Sequence, residues 1–520
     1  MTAVGEERSV EVRQPTAARR WPMWVGVVVV ALLAVGGTVL AIFWPFSTQK
    51  VTEAIQEDWP GKITAARFHS TYFPHPGCVI EDVVMRHGSD TSAPPLVTIQ
   101  KVTIAANYHD LFLRPGYIYK ISLEGVKISV PAKQDPNAPA AKRSTSTKRV
   151  GEIFTKDAVL EVARESNSPL KFAIHQLRLK SVSSSTPMSY DLRMGNAEPP
   201  GEIVSRGKFG SFDPEHLEQI PLSGNYTFDQ ADLRVFDGLA GTLAAKGEFT
   251  GVLGTIETQG TADIPNFEVV HSEHRVPIKA KYSATVNGVG GDTVLHAVDA
   301  TIVHTNAHFD GTITGKPGQP GKTTTVNVNV VNGRIEDILR LFVKEHKSAL
   351  EGPTNFHARV SWPSEGDNFI KKVTLTGEFA IDHARSEHNR LQNDLITLSK
   401  RASGKKDDQA PVDENVTMDA KGQVALANGV ANLSELYFTV PGAEANMHGT
   451  YNLATTKVDL RGNLKTASSL SNEATGAKAV LLKPLDPLFK RKHAGADIPV
   501  QMTGTYHDAH VGLATPLPKL

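Results

Sequence analysis

Disulfides and thiolate metal clusters are closed to this chain, because its 520 residues include one cysteine, Cys78. Net charge is missing as well. Fifty-five Lys and Arg balance fifty-five Asp and Glu, so no overall field argues for nucleic acid or an anionic surface as partner. Aromatic residues make up only 7%. After residue 44 there is no apolar run long enough to cross a bilayer as a helix, so no second spanning helix is expected. What is plentiful is glycine (42) and proline (31), with threonine, asparagine and valine recurring between them. That mixture predicts many short strands and turns. β-branched residues are spread throughout, which argues against disorder.

The one long apolar run is Trp24 to Trp44, WVGVVVVALLAVGGTVLAIFW, without a charge. As a helix it would be about 31 Å long, enough to span a hydrocarbon core. Trp21 and Trp24 flank one end, Phe43, Trp44 and Phe46 the other, as interfacial belts do. A secretory signal is the competing reading, but Phe-Trp-Pro-Phe suits a belt better than a small-residue cleavage site. Arg8, Arg13, Arg19 and Arg20 precede the span, and Pro45 to Gln49 carry no charge. The positive-inside rule then keeps the N-terminus cytoplasmic and exports the rest from a single-pass anchor.

Beyond the anchor, residues 48 to 59 place Val51, Ala54, Ile55 and Trp59 at helical spacing before the break at Pro60-Gly61. Strands follow. Val97 and Ile99 give way to Val102 and Ile104, and Ile121 and Leu123 to Val126, Ile128 and Val130 around Gly125, phase slips that predict bulges. Residues 131–150 are rich in Pro, Ala, Lys and Ser with no period, a flexible loop and candidate boundary. The clearest strand is TTTVNVNVVN at 323–332. Val326, Val328 and Val330 line one side and Asn327 and Asn329 the other, so one face is apolar and one meets water. One amphipathic helix is predicted at 334–346, with Ile335, Ile338, Leu339, Phe342 and Val343 on its stripe, and another at 387–399. Phrases such as Gly224-Asn-Tyr226, Gly247-Glu-Phe249, Gly377-Glu-Phe379 and Gly449-Thr-Tyr451 recur at irregular spacing. They fit either a glycine that starts a strand after a tight turn or a long stack of similar hairpins.

Catalytic and metal motifs fail on inspection. GKPGQPGKTTT at 315–325 has Lys316 where a phosphate loop needs glycine, and a strand rather than a helix follows, so it reads as a hairpin turn. Asn287 to Asp292 is likewise a turn. His271/His274, His304/His308 and His507/His510 are paired without a third ligand in reach. His304 and His308, on one face of a strand, would be about 13 Å apart. Neither HExxH nor GxSxG occurs, and Cys78 has no partner pattern. No enzyme, cofactor or metal is expected.

At the C-terminal end the residues become specific. Asn428-Gly429, the turn Val440-Pro-Gly-Ala443, Gly449-Thr-Tyr451, the segment Leu485-Asp-Pro-Leu-Phe-Lys490 and Ile498-Pro-Val500 with Gly504-Thr505 resemble the C-terminal region of AsmA-like proteins. Near the N-terminus Phe73-Pro-His-Pro-Gly77 and Leu123-Glu-Gly-Val-Lys-Ile128 agree. The resemblance implies a mainly β protein in which a transmembrane helix leads into an elongated, curled antiparallel sheet, trough-like, with a few amphipathic helices. The expected organisation is a tail (1–23), the span (24–44), an AsmA-like N-terminal β region (45–130), the loop (131–150), a central β region (151–400), a charged loop (401–415) and an AsmA-like C-terminal region (416–520). The same resemblance implies an inner-membrane anchor with the bulk in the periplasm, phospholipid as cargo, and a periplasmic or outer-membrane protein at the far end. The runner-up is an envelope assembly or tethering factor working by protein contacts. Val326, Val328 and Val330 are the candidates for lipid contact, and the sequence leaves open whether they line a groove or fill a closed core. At about 14 residues per strand and turn, the exported part would hold at most roughly 30 strands, or about 140 Å of sheet.

Overall fold

The computed structural model describes residues 45–58, 62–86, 95–114, 116–130, 149–163, 169–183, 186–210, 216–288, 290–315, 321–344, 348, 350–364, 368–385, 417–466, 497–505 and 510–514. The predicted span at 24–44, the helix at 387–399 and the charged loop lie outside them. Among the described residues no helix is long and apolar enough to cross a membrane.

Helix α1 (Thr48–Asp58) is the first element among the described residues. Strands β1 (Ile63–Thr64), β2 (Arg67–Thr71), β3 (Gly77–Met85) and β4 (Val97–Ala105) precede helix α2 (Tyr108–Leu113). Then come β5 (Tyr117–Val130), β6 (Arg149–Val162), β7 (Leu170–Val182), β8 (Met188–Ala197), β9 (Pro200–Phe209), β10 (Pro221–Asp232), β11 (Leu239–Ala240), β12 (Thr242–Val252), β13 (Thr255–Val269), β14 (Val276–Val286), β15 (Thr293–Ile302), β16 (Thr305–Gly315) and β17 (Lys322–Arg334). Helix α3 (Ile335–Phe342), β18 (Pro353–Pro363), helix α4 (Phe369–Lys372), β19 (Thr374–Ala384), β20 (Met418–Ala427), β21 (Val430–Val440), β22 (Ala443–Asn452), β23 (Lys457–Thr466), β24 (Asp497–Thr505) and β25 (His510–Leu513) complete the described elements.

All twenty-five strands join one sheet. Each pairs with its neighbours in the chain, so the sheet is an open meander. β1 and β2 together form one edge on β3, and β11 is a two-residue appendage of β13. Every pair is antiparallel except β5 with β6. A parallel join needs the chain to return along the strand, and the eighteen residues between Val130 and Arg149 can reach about 60 Å, more than a fourteen-residue strand requires. Tight links set the register elsewhere. Asn428 (φ 51°) and Gly429 (φ 75°) form the two-residue link of β20 and β21, and Pro441-Gly442 that of β21 and β22. The Asn-Gly and Pro-Gly dipeptides read from the sequence are thus hairpin turns. The predicted phase slips also have a physical origin. Asp82 (φ 54°) on β3 and Gly125 (φ 63°) on β5 flank Gln100 of β4, so the alternation flips on three strands along one line.

The ribbon coils. Links between strands alternate between two rims. The link after β10 and the link after β13 lie on the first rim; α4 and the link after β22 lie on the second. Phe369 of α4 nevertheless donates its backbone N–H to Asp237 O across 3.2 Å, and His271 Nε2 lies 2.7 Å from Leu453 O. In a flat sheet these pairs, seven and nine strand positions apart, would be separated by about 34 and 43 Å laterally alone. The first rim of one stretch therefore meets the second rim of a later one.

Buried apolar clusters sit at two places. One gathers Phe46, Val51, Cys78, Ile80, Val83, Val102 and Ile104 near the N-terminal edge. Others join β19 to β24. The predicted helix at 334–346 is shorter, Ile335–Phe342, and Val343 is already extended. Its buried side chains include Glu336 and Asp337, whose carboxylates accept from Gly352 N, His304 N and Thr305 Oγ1 at the rim. His304 stands in the turn between β15 and β16 rather than on a strand, so the pairing with His308 dissolves.

Candidate functional site

Directly opposed residues share a sheet face, so the pairing register follows a face from strand to strand. Starting from Val328, an unbroken chain of opposed pairs leads to Phe309, Val298, Tyr282, Gly260, Gly247, Tyr226, Ser205, Leu192, Leu177, Thr155, Leu123, Val102, Ile80 and Phe68. In the other direction it leads to Ala358, Gly377, Val424, Leu433, Gly449, Leu460 and Met502. Twenty-two strands contribute one residue each, and none is charged.

Val330 heads a second row on the same face. It runs through Ala307, Ala300, Ala280, Ala262 and Ala245 to Phe228 and Ile203, and outward to Phe356 and Phe379. Val326 belongs to a third, with Gly311, Leu295 and Ala284 on one side and Val360, Leu375 and Leu426 on the other. The structure thus brings the three valines together as neighbours on one strand and places each in a different apolar row. Rows two residues apart are about 7 Å from one another, so over strands β14 to β19, where all three run side by side, the floor is about 14 Å wide, and the long row carries it on to a length of roughly 100 Å.

Coverage of this floor is partial. In the long row six residues are buried and the other sixteen are half-buried. Strands β12 and β13 alternate exposed and half-buried residues, with only Val269 at the rim fully buried. A sheet closed by a second layer would bury its inner positions. Among the described residues the apolar side is shielded by the coil and by its own side chains, while the polar side is open to water. Val326 and Val330 are 7% and 4% exposed, and Val328 is half-buried.

The recurring Gly-x-aromatic phrases gain an explanation that corrects the turn reading. Gly224 and Gly247 stand inside β10 and β12, not at their starts. Gly247 pairs with Gly260, and Tyr226 and Tyr282 approach this bare spot from the flanking strands. A Cβ on Gly247 would lie 3.0 Å from Tyr226 Oη, and one on Gly260 2.6 Å from Tyr282 Oη. The two tyrosine hydroxyls hydrogen-bond to each other, and Thr258 Oγ1 is 3.4 Å from Tyr226 Oη. Tyr190 and Phe249 cover Gly224 in the same way. Tyr190 Oη lies 2.9 Å from Ser205 Oγ, which donates to Asn225 O. Burial pushes the Tyr190 and Tyr282 hydroxyls above the ordinary tyrosine range, so they remain neutral. Thr155 Oγ1, in the long row, is buried with no hydrogen-bond partner. These hydroxyls were missed in the sequence; the irregular Gly-x-aromatic phrases were their signal.

The opposite face is polar and laced with exposed pairs such as His308–Asp299 at 2.8 Å and Lys101–Glu124 at 3.4 Å. A twisted sheet is a saddle, and a hollow of about 950 Å³ opens here, where Lys246, Lys279 and Lys281 are matched by Asp229, Asp263 and Asp299 and the small alanines of the Val330 row, Ala245 to Ala307, are reached between them. Among the described residues no group of three or more His, Cys, Asp or Glu is placed to hold a metal ion. Comparison with protein-family models, curated proteins and solved structures found no match for this chain.

Proposed function

We propose that this chain is a non-enzymatic carrier of phospholipid, of the AsmA-like kind, anchored by residues 24–44 in an inner membrane with its sheet in the periplasm. The observation that carries the reading is the charge-free floor, continuous over twenty-two strands and only half-covered. Roughly 100 Å long, and about 14 Å wide where the three rows run together, it leaves apolar side chains partly open to water, and such a patch calls for an occupant. Acyl chains suit it in width and in indifference to sequence, several of them fitting along its length, and each CH₂ withdrawn from water contributes about 0.8 kcal/mol. The polar face and its balanced ion pairs keep the outside soluble.

The test is photo-crosslinking in the membrane. A benzophenone amino acid replaces Val328 on the floor or Asn327 on the polar face, and the irradiated full-length protein is analysed by mass spectrometry for covalently bound phospholipid. Adduct at 328 with little at 327 is expected. Equal adduct at both, or none at 328, would remove the reading. A second reading, an assembly or tethering factor, is favoured by the two sheet edges: β2 and β25 each pair on one side only among the described residues, and an open edge can accept a strand from another protein.

A further inference from the structure

Exposed aromatic side chains are concentrated at one corner. Among the described residues five are more than a third exposed, and four of them, Tyr72, Phe73, Tyr108 and Tyr119, belong to the first strands and their links. Phe73 is 89% exposed and Tyr72 57%, and Leu113 at the end of α2 is 67% exposed. Tyr72 and Phe73 follow β2; Tyr108 and Leu113 lie on α2, between β4 and β5, at the same rim. Contacts confirm that the pieces adjoin. Tyr108 Oη donates to Tyr72 O, and the rings of His75 and Tyr119 stack with centroids 6.2 Å apart. Arg114 and His109, both largely exposed, flank Asp110 at 3.9 and 3.7 Å on this helix and its end, and the Arg114 guanidinium lies over the Tyr117 ring.

This corner is also where the described chain begins. Phe46 is buried in the N-terminal cluster, and its carbonyl accepts from Ser70 Oγ at 3.0 Å, two residues before Tyr72. One residue, Pro45, separates Phe46 from the last residue of the apolar run that the sequence predicts as a span, a distance of about 7 Å along the chain. The long apolar row starts here too, at Phe68 and Ile80.

We infer that this rim docks into the interfacial layer of a lipid bilayer, with Phe73 and Leu113 inserted among the upper acyl segments, the tyrosine rings at headgroup depth, and Arg114 paired with lipid phosphate. Aromatic residues with a polar tip prefer that layer, and arginine at its margin keeps its charge in the headgroups. An exposed phenylalanine beside leucine would otherwise leave apolar area in water for no return. The docking adds a second attachment beside the span, and it fixes the open end of the floor against the membrane. It stands whether or not the floor carries lipid.

The native thiol, Cys78, is fully buried, so a cysteine introduced at an exposed site is labelled alone. Full-length Phe73→Cys, Leu113→Cys and Tyr437→Cys variants, each carrying a nitrobenzoxadiazole label, are reconstituted in phosphatidylethanolamine–phosphatidylglycerol vesicles. Quenching is measured with a shallow nitroxide lipid and with aqueous iodide. Labels at 73 and 113 are expected to be quenched at least threefold more by the nitroxide lipid than the label at 437, and severalfold less by iodide. Equal iodide quenching at all three sites would mean that the corner is near the bilayer but wet, and would overturn the inference. Shielding from iodide without quenching by the nitroxide lipid would also overturn it, by showing that protein covers the corner. The substituted side chains are exposed, so folding is preserved, and the crosslinking at Val328 reports separately on lipid carriage.

Discussion

Replacing Gly449 with alanine should unpick β22 from β23 without unfolding the rest of the sheet. Gly449 has φ 150°, outside the range L-residues adopt readily, and pairs with Leu460 in the long apolar row. A Cβ there would sit 2.8 Å from Leu460 Cα and closer still to the Asp459 carbonyl oxygen, both backbone atoms that cannot swing aside. Relief requires the two strands to part by about 1 Å, which breaks the pair of ladder hydrogen bonds at this site. Two such bonds contribute about 1 kcal/mol each, and the backbone strain costs about 1–3 kcal/mol more. The expected loss is about 3–5 kcal/mol. In a meander each strand leans on its two neighbours, so the loss is local, as in repeat proteins. Native-state hydrogen exchange read by mass spectrometry should show β22 and β23 amides losing protection by about a hundredfold to a few thousandfold, at about tenfold per 1.4 kcal/mol. Strands β5 to β9 should be unchanged. Gly195→Ala is the control: its Cβ would meet nothing nearer than His175 Nε2 at 3.5 Å, and protection should stay within a few-fold. If Gly449→Ala also stays within a few-fold, β22 and β23 do not approach as closely at this point as the ladder requires, and the local loss of pairing is refuted.

Two further outcomes concern titratable groups. Hydrogen bonds from the Arg234 side chain, helped by its backbone N–H and its charge, hold the Asp232 carboxyl down to about 2, well below the ordinary carboxylate range. A depressed native pKa means that the pair stabilises above the ordinary range and is lost only as pH falls through about 2, so the carboxylate should still be ionised at pH 3. An NMR titration checks this; Arg234→Ala should return the midpoint towards the ordinary value, and a normal midpoint in the native protein would refute the pairing. Burial pushes the Cys78 thiol up to about 12, leaving about one part in ten thousand as thiolate at pH 8. A disulfide reagent should therefore react only after denaturant is added; stoichiometric reaction within seconds in the folded protein would contradict the buried N-terminal cluster.

Period-two alternation was legible because it is local: Val326, Val328 and Val330 announce their common side within a single strand, and Gly125 announces its bulge through the change of phase around it. Asn428-Gly429 and Pro441-Gly442 were legible for the same reason, since a turn is decided by two residues. What stayed hidden depends on register between strands far apart in the chain. Nothing near Tyr226 shows that Tyr282, fifty-six residues on, will reach across a pair of glycines to meet its hydroxyl. The amphipathic stripe at 334–346 misled in detail, because Glu336 and Asp337 are drawn inward by unpaired donors at a rim that the sequence does not reveal. The parallel join of β5 and β6 was equally invisible, there being no pattern that distinguishes a chain that turns back from one that crosses over.

The coil bears on how far such a ribbon can reach. Twenty-three strand positions at about 4.8 Å give roughly 105 Å measured along the sheet, already short of the 140 Å bound set by chain length. Asp237 meeting Phe369, and His271 meeting Leu453, show that between residues 237 and 453 the ribbon advances by rising from one rim to the other and not by extending sideways. Its end-to-end span is therefore well below its contour. A cargo moving on the floor would follow a winding path, still without meeting a charge, because every strand it crosses presents an apolar, glycine or hydroxyl residue to it. A chain of this kind working between two membranes would gain distance from a partner or a second copy. The open edge of β25 is the place where a continuing sheet could join without breaking the row, since Met502 of β24 already pairs with Val511 there.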